Sequence, residues 1–300
     1  MQQVVTKTPA TTANLGPGFD TLGLALKLFN TVELAEADGG LTIECSGQGV
    51  ESIPTDETNI VYQAANAVFS RVGHIPDGLH LRLHNDIPLA RGLGSSAAAI
   101  VGGAVAANEL CGSRLGEREL LQICASMEGH PDNVAPALVG GFVMTTTSMG
   151  QVEYIKVVPS PTIRAVAVIP EFELKTKDAR QVLPKEFSFQ DVVYNVSHTA
   201  FFVGAFITGN LSSLRFAMED KLHQPYRESL IPGMRDVFEA AMGCGAQSVS
   251  ISGSGPTLIA FVKDRDEEVA AAMQSAWESR GIQCRPMLME LESRGSRTAE

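Results

Sequence analysis

The sequence predicts an α+β protein with two domains. At 300 residues the chain is longer than one hydrophobic core usually needs. Strand-like and helix-like segments follow one another without the strict β–α–β order of a doubly wound sheet. A proline-rich break at residues 159–161 divides the chain into two parts. We therefore place an N-terminal domain at 1–158 and a C-terminal domain at 159–300.

Hydrophobic alternation predicts strands near the start of the chain. They begin at Val4-Val5 and continue at residues 24–32, 41–45 and 79–84, the last with one solvated face. Residues 59–72 instead have helical spacing, and Gly73 is placed to stop that helix.

An alanine-rich run predicts a further helix over residues 95–110. Ser95 or Ser96 would cap it, and Gly112 would end it. A second helix at residues 117–127 and a strand beginning near residue 140 complete the first half.

In the second half, residues 163–169 predict a buried strand, and residues 192–206 and 234–242 predict helices. Residues 248–252 and 257–262 predict two strands on either side of a Gly-Ser-Gly-Pro turn. An amphipathic helix is predicted over residues 267–280, and Gly281 ends it. Residues 292–297 have no apolar periodicity, so we expect disorder there.

Composition excludes several classes of partner and environment. A net charge of -11 argues against binding nucleic acid or anionic membranes. Five scattered cysteines without a CxxC spacing argue against a disulfide framework and a zinc site. No signal-peptide core and no run of ~18 apolar residues is present, so a cytoplasmic location is expected.

The most unusual segment is a proline-to-serine loop at residues 88–96, which precedes the alanine-rich helix. Gly92 and Gly94 let the backbone approach a phosphate, and the helix N-terminus adds partial positive charge. No Gly-Lys-Ser/Thr follows, so the segment is not a P-loop. Taken alone, a tight turn before a serine cap is the simpler interpretation.

Two further glycine-rich loops change that balance. Residues 10–20 form a polar turn in which Asn14 and Asp20 could bind an amino alcohol, with Asp20 facing its ammonium group. Residues 250–256 form a third turn between two strands. Three such loops together predict a shared polar site.

In this order, the three loops resemble the signature motifs of the GHMP kinases (galactokinase, homoserine kinase, mevalonate kinase and phosphomevalonate kinase). The resemblance covers residues 6–262. It implies an N-terminal domain like the second domain of ribosomal protein S5, a ferredoxin-like C-terminal domain, an active site between them, and ATP with Mg²⁺ as co-substrate and cofactor.

Within the family, the sequence is most similar to the branch that phosphorylates homoserine. Four segments carry this similarity: residues 9–20, 128–137, 176–180 ahead of Leu183-Pro184, and 224–227 ahead of residues 231–233. The last three distinguish it from mevalonate and galactose kinases. Homodimers are common in the family, but the sequence itself does not specify an oligomeric state.

The resemblance implies a role for each matching residue. An ATP-binding role falls on the loop Pro88, Leu89, Ala90, Arg91, Gly92, Leu93, Gly94, Ser95, Ser96, Ala97 and Ala98. Asn59 is a separate candidate for ATP binding, because it opens the helix predicted at residues 59–72. Substrate binding falls on Asp20, His130, Arg180 and Arg227, with the arginines on a carboxylate. Catalysis falls on Asn14, Asn133 and Thr176, and Mg²⁺ on Ser96 and Glu128.

Each role has a simpler structural counterpart: a solvated arginine, an Asn or Asp turn, or a lone structural histidine. Glu128 is an exception, because the helix dipole disfavours an acid near a helix C-terminus. We further expect direct in-line phosphoryl transfer without a carboxylate base, the hydroxyl being oriented by Asn14 and Thr176, since Asn133 and not Asp132 occupies the corresponding place.

Three alternatives remain. The first is another kinase of the family, acting on mevalonate or a sugar, although a substrate without a carboxylate would leave Arg180 and Arg227 unused. The second is an inactive binding module, which should show lapses in Ser96, Glu128 or the glycines. The third is a dinucleotide-binding fold, which the missing GxGxxG motif disfavours.

Overall fold

A computed structural model describes residues 3–160 and 162–299, which form two sheets with helices packed against them. The strands are β1 (Gln3–Asn14), β2 (Gly18–Ala37), β3 (Gly40–Gly47), β4 (Gly78–Asn85), β5 (Phe142–Ser148), β6 (Gln151–Val157), β7 (Arg164–Pro170), β8 (Ser248–Ile251), β9 (Leu258–Val262), β10 (Cys284–Glu290) and β11 (Arg297–Thr298). The helices are α1 (Ile60–Val72), α2 (Ser95–Leu110), α3 (Glu117–Glu128), α4 (Pro131–Val139), α5 (Thr176–Gln181), α6 (Phe189–Thr208), α7 (Leu214–Ala217), α8 (Gln224–Arg227), α9 (Met234–Gly243) and α10 (Asp266–Glu278). Short 3₁₀ turns lie at Val50–Ser52, Leu211–Ser213 and Glu228–Leu230.

The first sheet has the order β11-β1-β2-β4-β3, and β5 joins the early part of β2 and carries β6. All pairs are antiparallel except β3 with β4, which α1 connects as a crossover. Leu79, Leu81 and Leu83 of β4 point into a core shared with α1 to α4. The intervening residues of β4 point outward, which confirms the predicted strand with one solvated face.

The second sheet, in the order β10-β7-β9-β8, is antiparallel throughout. Val166 and Val168 of β7 pack with α9 and α10. Ala165, Ala167 and Ile169 point the other way, into a core shared with the first sheet and α6. Because successive residues of β7 alternate between these two cores, the strand fixes how the two sheets sit together. The predicted boundary between residues 158 and 159 falls between β6 and β7 and stays a prediction; Pro161 of the break lies outside the described residues.

The expectation of disorder at residues 292–297 is wrong. Arg297 and Thr298 pair with β1, and Glu292 is buried with its N–H bonded to the carbonyl of Ala25. The N–H of Ser296 donates to the carbonyl of Ala137. Hydrogen bonds to the first sheet and α4 order this segment, and apolar periodicity does not detect them.

The predicted helices and strands are present at nearly the expected residues, but the caps of α2 differ. Gly94, in the left-handed region at φ 69°, is the N-cap in place of Ser95 or Ser96, and Cys111 is the C-cap in place of Gly112. Helix α4 was not predicted, because it is short and contains Pro136. Over residues 3–160 and 162–299, none of the helices has the length and apolar character that crossing a membrane requires.

Candidate active site

The three glycine-rich loops are joined by hydrogen bonds. The N–H of Thr11 donates to the carbonyl of Leu93 at 3.1 Å, which ties the first loop to the second. The hydroxyl of Ser252 donates to the carbonyl of Gly92 at 2.6 Å, which ties the third loop to the second. The N–H of Gly253 donates to the carbonyl of Ala13 at 3.1 Å, which ties the third loop to the first. The loops therefore form one rigid floor, as their similar chemistry suggested.

Two of the glycines are required by this close approach. A Cβ at Gly92 would lie 2.2 Å from the carbonyl oxygen of Ser252, and one at Gly94 would lie 1.9 Å from Oγ1 of Thr11. Both residues have positive φ, +74° and +69°. A side chain at either position would push the loops apart.

A cavity of about 300 Å³ lies above this floor, between the two sheets. It brings together fifteen predicted site residues: Asn14, Asp20, Pro88, Ala90, Arg91, Gly92, Gly94, Ser95, Ser96, Glu128, His130, Asn133, Thr176, Arg180 and Arg227. Leu93, Ala97 and Ala98 are instead fully buried in the cores, so only their main chain is available to a ligand.

A second cavity of about 360 Å³ adjoins the first and shares Ala90, Ser95 and Ser96 with it. Leu89 and Asn59 line this second cavity. The Asn59 side chain is already engaged, because its Oδ1 accepts the N–H of Val61 at 2.9 Å as the cap of α1. The start of α2 thus lies between two cavities.

The start of α2, predicted to cradle an anion, has the geometry that such a role requires. Its N-cap, Gly94, has no side chain, and among the described residues no side chain accepts the main-chain N–H groups of the first turn. Arg91 does not add its charge to the cradle: its guanidinium donates to the carbonyls of Pro170 and Glu171 and pairs with Glu173. Arg91 therefore attaches the loop to the second sheet.

Ser96 and Glu128 meet at the cavity wall, where the serine hydroxyl donates to the carboxylate at 2.7 Å. Burial raises the pKa of Glu128, and the bond from Ser96 opposes that shift. In the part of the chain that the structure describes, no cationic side chain is bonded to Glu128, and a carboxylate in this position suits a metal ion. One carboxylate and one hydroxyl fit Mg²⁺, which keeps water and phosphate oxygens as its other ligands.

Asp20 and Arg180 form a bidentate ion pair at 2.7 and 2.9 Å. Both were predicted to hold substrate, so in this structure each predicted binding group satisfies the other. The hydrogen bonds that Arg180 donates to the Asp20 carboxylate raise the pKa of Arg180. About a third of each side chain is exposed, which leaves the pair accessible from the cavity.

Arg227 is almost completely buried, with 1% of its surface exposed. Its Nε donates to the carbonyl of Ala179 at 3.1 Å, and Nη1 to the carbonyl of Gly253 at 3.0 Å. Burial lowers the pKa of Arg227 to about 10, which still leaves the guanidinium charged at neutral pH. Arg180 and Arg227 lie on the ring of Phe19, each 5.3 Å from its centroid.

His130, Asp132 and Asn133 form a connected group at the start of α4. Nδ1 of His130 lies 2.8 Å from the Asp132 carboxylate, and this bond raises the pKa of His130. Asn133 Oδ1 accepts the hydroxyl of Thr11 at 2.9 Å. The Asp132 carboxylate, 2% exposed, is therefore committed to its neighbours.

Asn14 and Thr176, predicted to orient the reacting hydroxyl, both line the cavity, from the end of β1 and from the start of α5. Asn14 Nδ2 donates to the carbonyl of Gly253 at 2.7 Å, and its Oδ1 accepts the N–H of Asp20 at 3.0 Å. A carbonyl oxygen has a second lone pair, so Oδ1 can still accept a hydroxyl. Thr176 Oγ1 lies 3.3 Å from the hydroxyl of Ser254.

The backbone around the cavity is strained. Asn14, Leu15, Asp20 and Ala90 all have positive φ, between 47° and 70°, although none is glycine. Such conformations cost about 1–3 kcal/mol each and persist where the surroundings enforce them, as they do at binding sites.

Sequence reasoning missed the residues that support these groups. They are Thr11, Phe19, His223 and Ser254, together with Lys175, whose exposed side chain lines the cavity. Proximity could have found His223, which precedes the 224–227 segment and stands four positions from Arg227. Thr11, Phe19 and Ser254 carry no sequence signal apart from membership of the loops, and Lys175 only precedes the predicted 176–180 segment.

The fold and this site define a kinase of small molecules. The family model described as GHMP kinases N terminal domain matches residues 59–141, and the one described as GHMP kinases C terminal matches residues 202–279. The predicted α+β fold is confirmed by a crystal structure of homoserine kinase from Cytophaga hutchinsonii, with a TM-score of 0.92 and 31% identity, covering 100% of this chain and 98% of that one.

Curated relatives give the particular branch. Homoserine kinase of Moorella thermoacetica is 48% identical, covering 93% of this chain and 94% of the relative. Homoserine kinase of Carboxydothermus hydrogenoformans is 47% identical, covering 96% and 94%. The chain therefore belongs to the GHMP kinase family, in its homoserine kinase branch.

Proposed function

We propose that the protein transfers the γ-phosphate of ATP to the hydroxyl of L-homoserine, giving O-phospho-L-homoserine, a step of threonine biosynthesis. One observation carries this proposal: the uncapped start of α2 and the Asp20, Arg180 and Arg227 group line the same cavity. The first suits a phosphate chain, and the second suits a zwitterionic amino acid.

The substrate's two charged groups match the side chains available. Arg227 is held rigidly and stays charged, so it is suited to the carboxylate. Asp20 is suited to the ammonium group. Binding would then exchange the Asp20–Arg180 pair for contacts with substrate, freeing Arg180 for the carboxylate as well.

ATP would bind across the two cavities, with its phosphates at the start of α2 and its base in the cavity lined by Asn59 and Leu89. Ser96 and Glu128 would hold Mg²⁺, which when bound neutralises charge on the phosphate chain. Ser96 lines both cavities and Glu128 lines the first, so the metal ion would lie between the base and the substrate.

The substrate hydroxyl would be oriented by Asn14 and Thr176 and attack in line, without a carboxylate base. A loose transition state requires positioning and charge stabilisation more than early deprotonation. The buried Asp132, already bonded to His130, serves to orient that histidine toward the substrate.

Changing Asp132 to asparagine is expected to lower kcat by less than about a hundredfold, because no proton transfer to Asp132 is required. The loss arises instead from a misaligned His130. Steady-state kinetics with homoserine measures it, and His130→Gln serves as the matched comparison. A fall of several orders of magnitude in kcat for Asp132→Asn, with homoserine binding intact and His130→Gln nearly normal, would identify Asp132 as a base.

The function itself is tested by a coupled ADP-release assay with homoserine, serine, threonine, mevalonate and galactose in parallel. We expect turnover to be fastest with homoserine, because only it combines both charged groups with a hydroxyl on the right carbon. Mevalonate lacks an ammonium group and galactose lacks both charges. A higher kcat/KM for either of these than for homoserine would refute the proposal.

A further inference from the structure

We infer that His223 is a positioning residue for the substrate carboxylate: it aligns Arg227 by accepting one of its N–H groups while fastening it to the turn that carries Asp20. This inference rests on the proposed function. It assigns to His223 the orientation of the arginine and leaves direct contact with substrate to Arg227.

Two of the three guanidinium nitrogens of Arg227 have acceptors in the protein. Nε donates to the carbonyl of Ala179, and Nη1 donates to the carbonyl of Gly253 and to Nδ1 of His223 at 3.1 Å. Among the described residues, no protein acceptor is bonded to Nη2. Because Arg227 lines the cavity, Nη2 is the edge of the guanidinium left for a ligand.

The bond between Arg227 and His223 fixes the proton on the imidazole. A guanidinium has no acceptor, so Nδ1 of His223 must accept, and Nε2 must carry the hydrogen. Nε2 then donates to the carbonyl of Gly16 at 2.7 Å. One ring thus connects Arg227 to the residues between Asn14 and Asp20.

The surroundings hold the ring in this state. His223 is fully buried and stacks on Phe19, with ring centroids 5.2 Å apart. The Asp220 carboxylate accepts the main-chain N–H groups of His223 and Gln224, which fixes the start of α8. Gly16 in turn has no room for a side chain, since a Cβ would lie 2.6 Å from the carbonyl oxygen of Met218.

Burial also keeps the imidazole neutral. It lowers the pKa of His223 to about 4; the charge of Asp220 opposes that shift, and the charge of Arg227 adds to it. A protonated ring would put a donor where Arg227 donates. The neutral form is therefore the one that maintains the alignment at physiological pH.

Three variants separate the two ends of the ring. His223→Asn keeps an acceptor near the Nδ1 position, His223→Gln keeps a donor near the Nε2 position, and His223→Leu keeps neither. We expect the KM for homoserine to rise by about tenfold or more in His223→Leu, because the bonded group is charged. We expect a smaller rise in His223→Asn than in His223→Gln, and an unchanged KM for ATP in all three.

Val237→Ala is the control for an effect of lower stability alone. Val237, on α9, is fully buried in the core and lines neither cavity. A homoserine KM in His223→Leu within about twofold of wild type, or equal rises for ATP and homoserine, would overturn the inference. If the wild type does not phosphorylate homoserine, the proposed function is wrong, and the role of His223 must be tested by a measurement that needs no substrate.

A ¹⁵N NMR spectrum judges it without any substrate. The sequence has six histidines, and the spectrum of His223→Asn identifies the missing ring. We expect a neutral imidazole with its proton on Nε2 between about pH 6 and pH 8. A charged ring, or a proton on Nδ1, would overturn the inference whatever the substrate.

Discussion

Changing Glu128 to glutamine is expected to lower kcat by about two to three orders of magnitude while leaving the protein as stable as wild type or more so. Glutamine keeps the shape and a partner for the Ser96 hydroxyl. It removes the negative charge that would hold Mg²⁺ beside the phosphates.

The stability result follows from the raised pKa of Glu128. Folding favours the protonated carboxyl, so the ionised form destabilises the native state at neutral pH, and glutamine removes that cost. As the pH falls through the raised pKa, the wild-type carboxyl becomes neutral. The difference in unfolding free energy between variant and wild type should therefore shrink toward acid.

Kinetics with ATP and homoserine and thermal unfolding at several pH values measure the two effects. Glu109→Gln is the matched control, because Glu109 also lies in the last turn of a helix, α2, but lines neither cavity. Equal losses of kcat in the two variants, or a kcat for Glu128→Gln within about tenfold of wild type, would remove Glu128 from the metal site.

Local patterns predicted most of the fold. Period-two and helical spacing located β4, α1 and α10 to within a few residues, because each buries one face against a core. The alanine-rich run located α2, which is buried on nearly all sides. The failures were segments ordered by other means. Residues 292–297 are held by hydrogen bonds to β1 and α4, and Gly94 replaces a serine cap because it packs against Thr11.

The sequence predicted which residues lie together in the site. It did not predict which of them form hydrogen bonds or ion pairs with one another. Glycine-rich loops and charged residues indicated a shared pocket, and the cavity contains most of them. Residues 160 positions apart in sequence, such as Asp20 and Arg180, gave no sign that they pair with each other. Of the three partners of Arg227, only His223 is close in sequence, and no local pattern indicates the carbonyls of Ala179 and Gly253.

The Asp20–Arg180 pair has a consequence for substrate binding. In the free protein the two charges neutralise each other, which lowers the cost of keeping them near the cavity. A substrate must then supply both an ammonium for Asp20 and a carboxylate for Arg180 to replace the pair without leaving a charge unpaired. A molecule with only one charged group leaves one side unpaired, so the pair favours zwitterions.

Changing Asp20 to asparagine is accordingly expected to lower kcat/KM for homoserine by about two to three orders of magnitude, the cost of an ammonium group left without its charged partner. The free energy of unfolding should change by less than about 1 kcal/mol, because the pair is a third exposed and screened by water. The KM for ATP should not change.

An analogue without the ammonium group, 4-hydroxybutyrate, makes this assignment specific. If Asp20 acts on the ammonium, the substitution should not lower kcat/KM for the analogue, since the interaction is already missing and no unpaired carboxylate is left behind. Asp266→Asn is the matched control, because Asp266 pairs with Arg164 at 2.8 Å away from both cavities. Equal losses with homoserine and with the analogue would show instead that Asp20 acts by holding Arg180, and that the ammonium binds elsewhere.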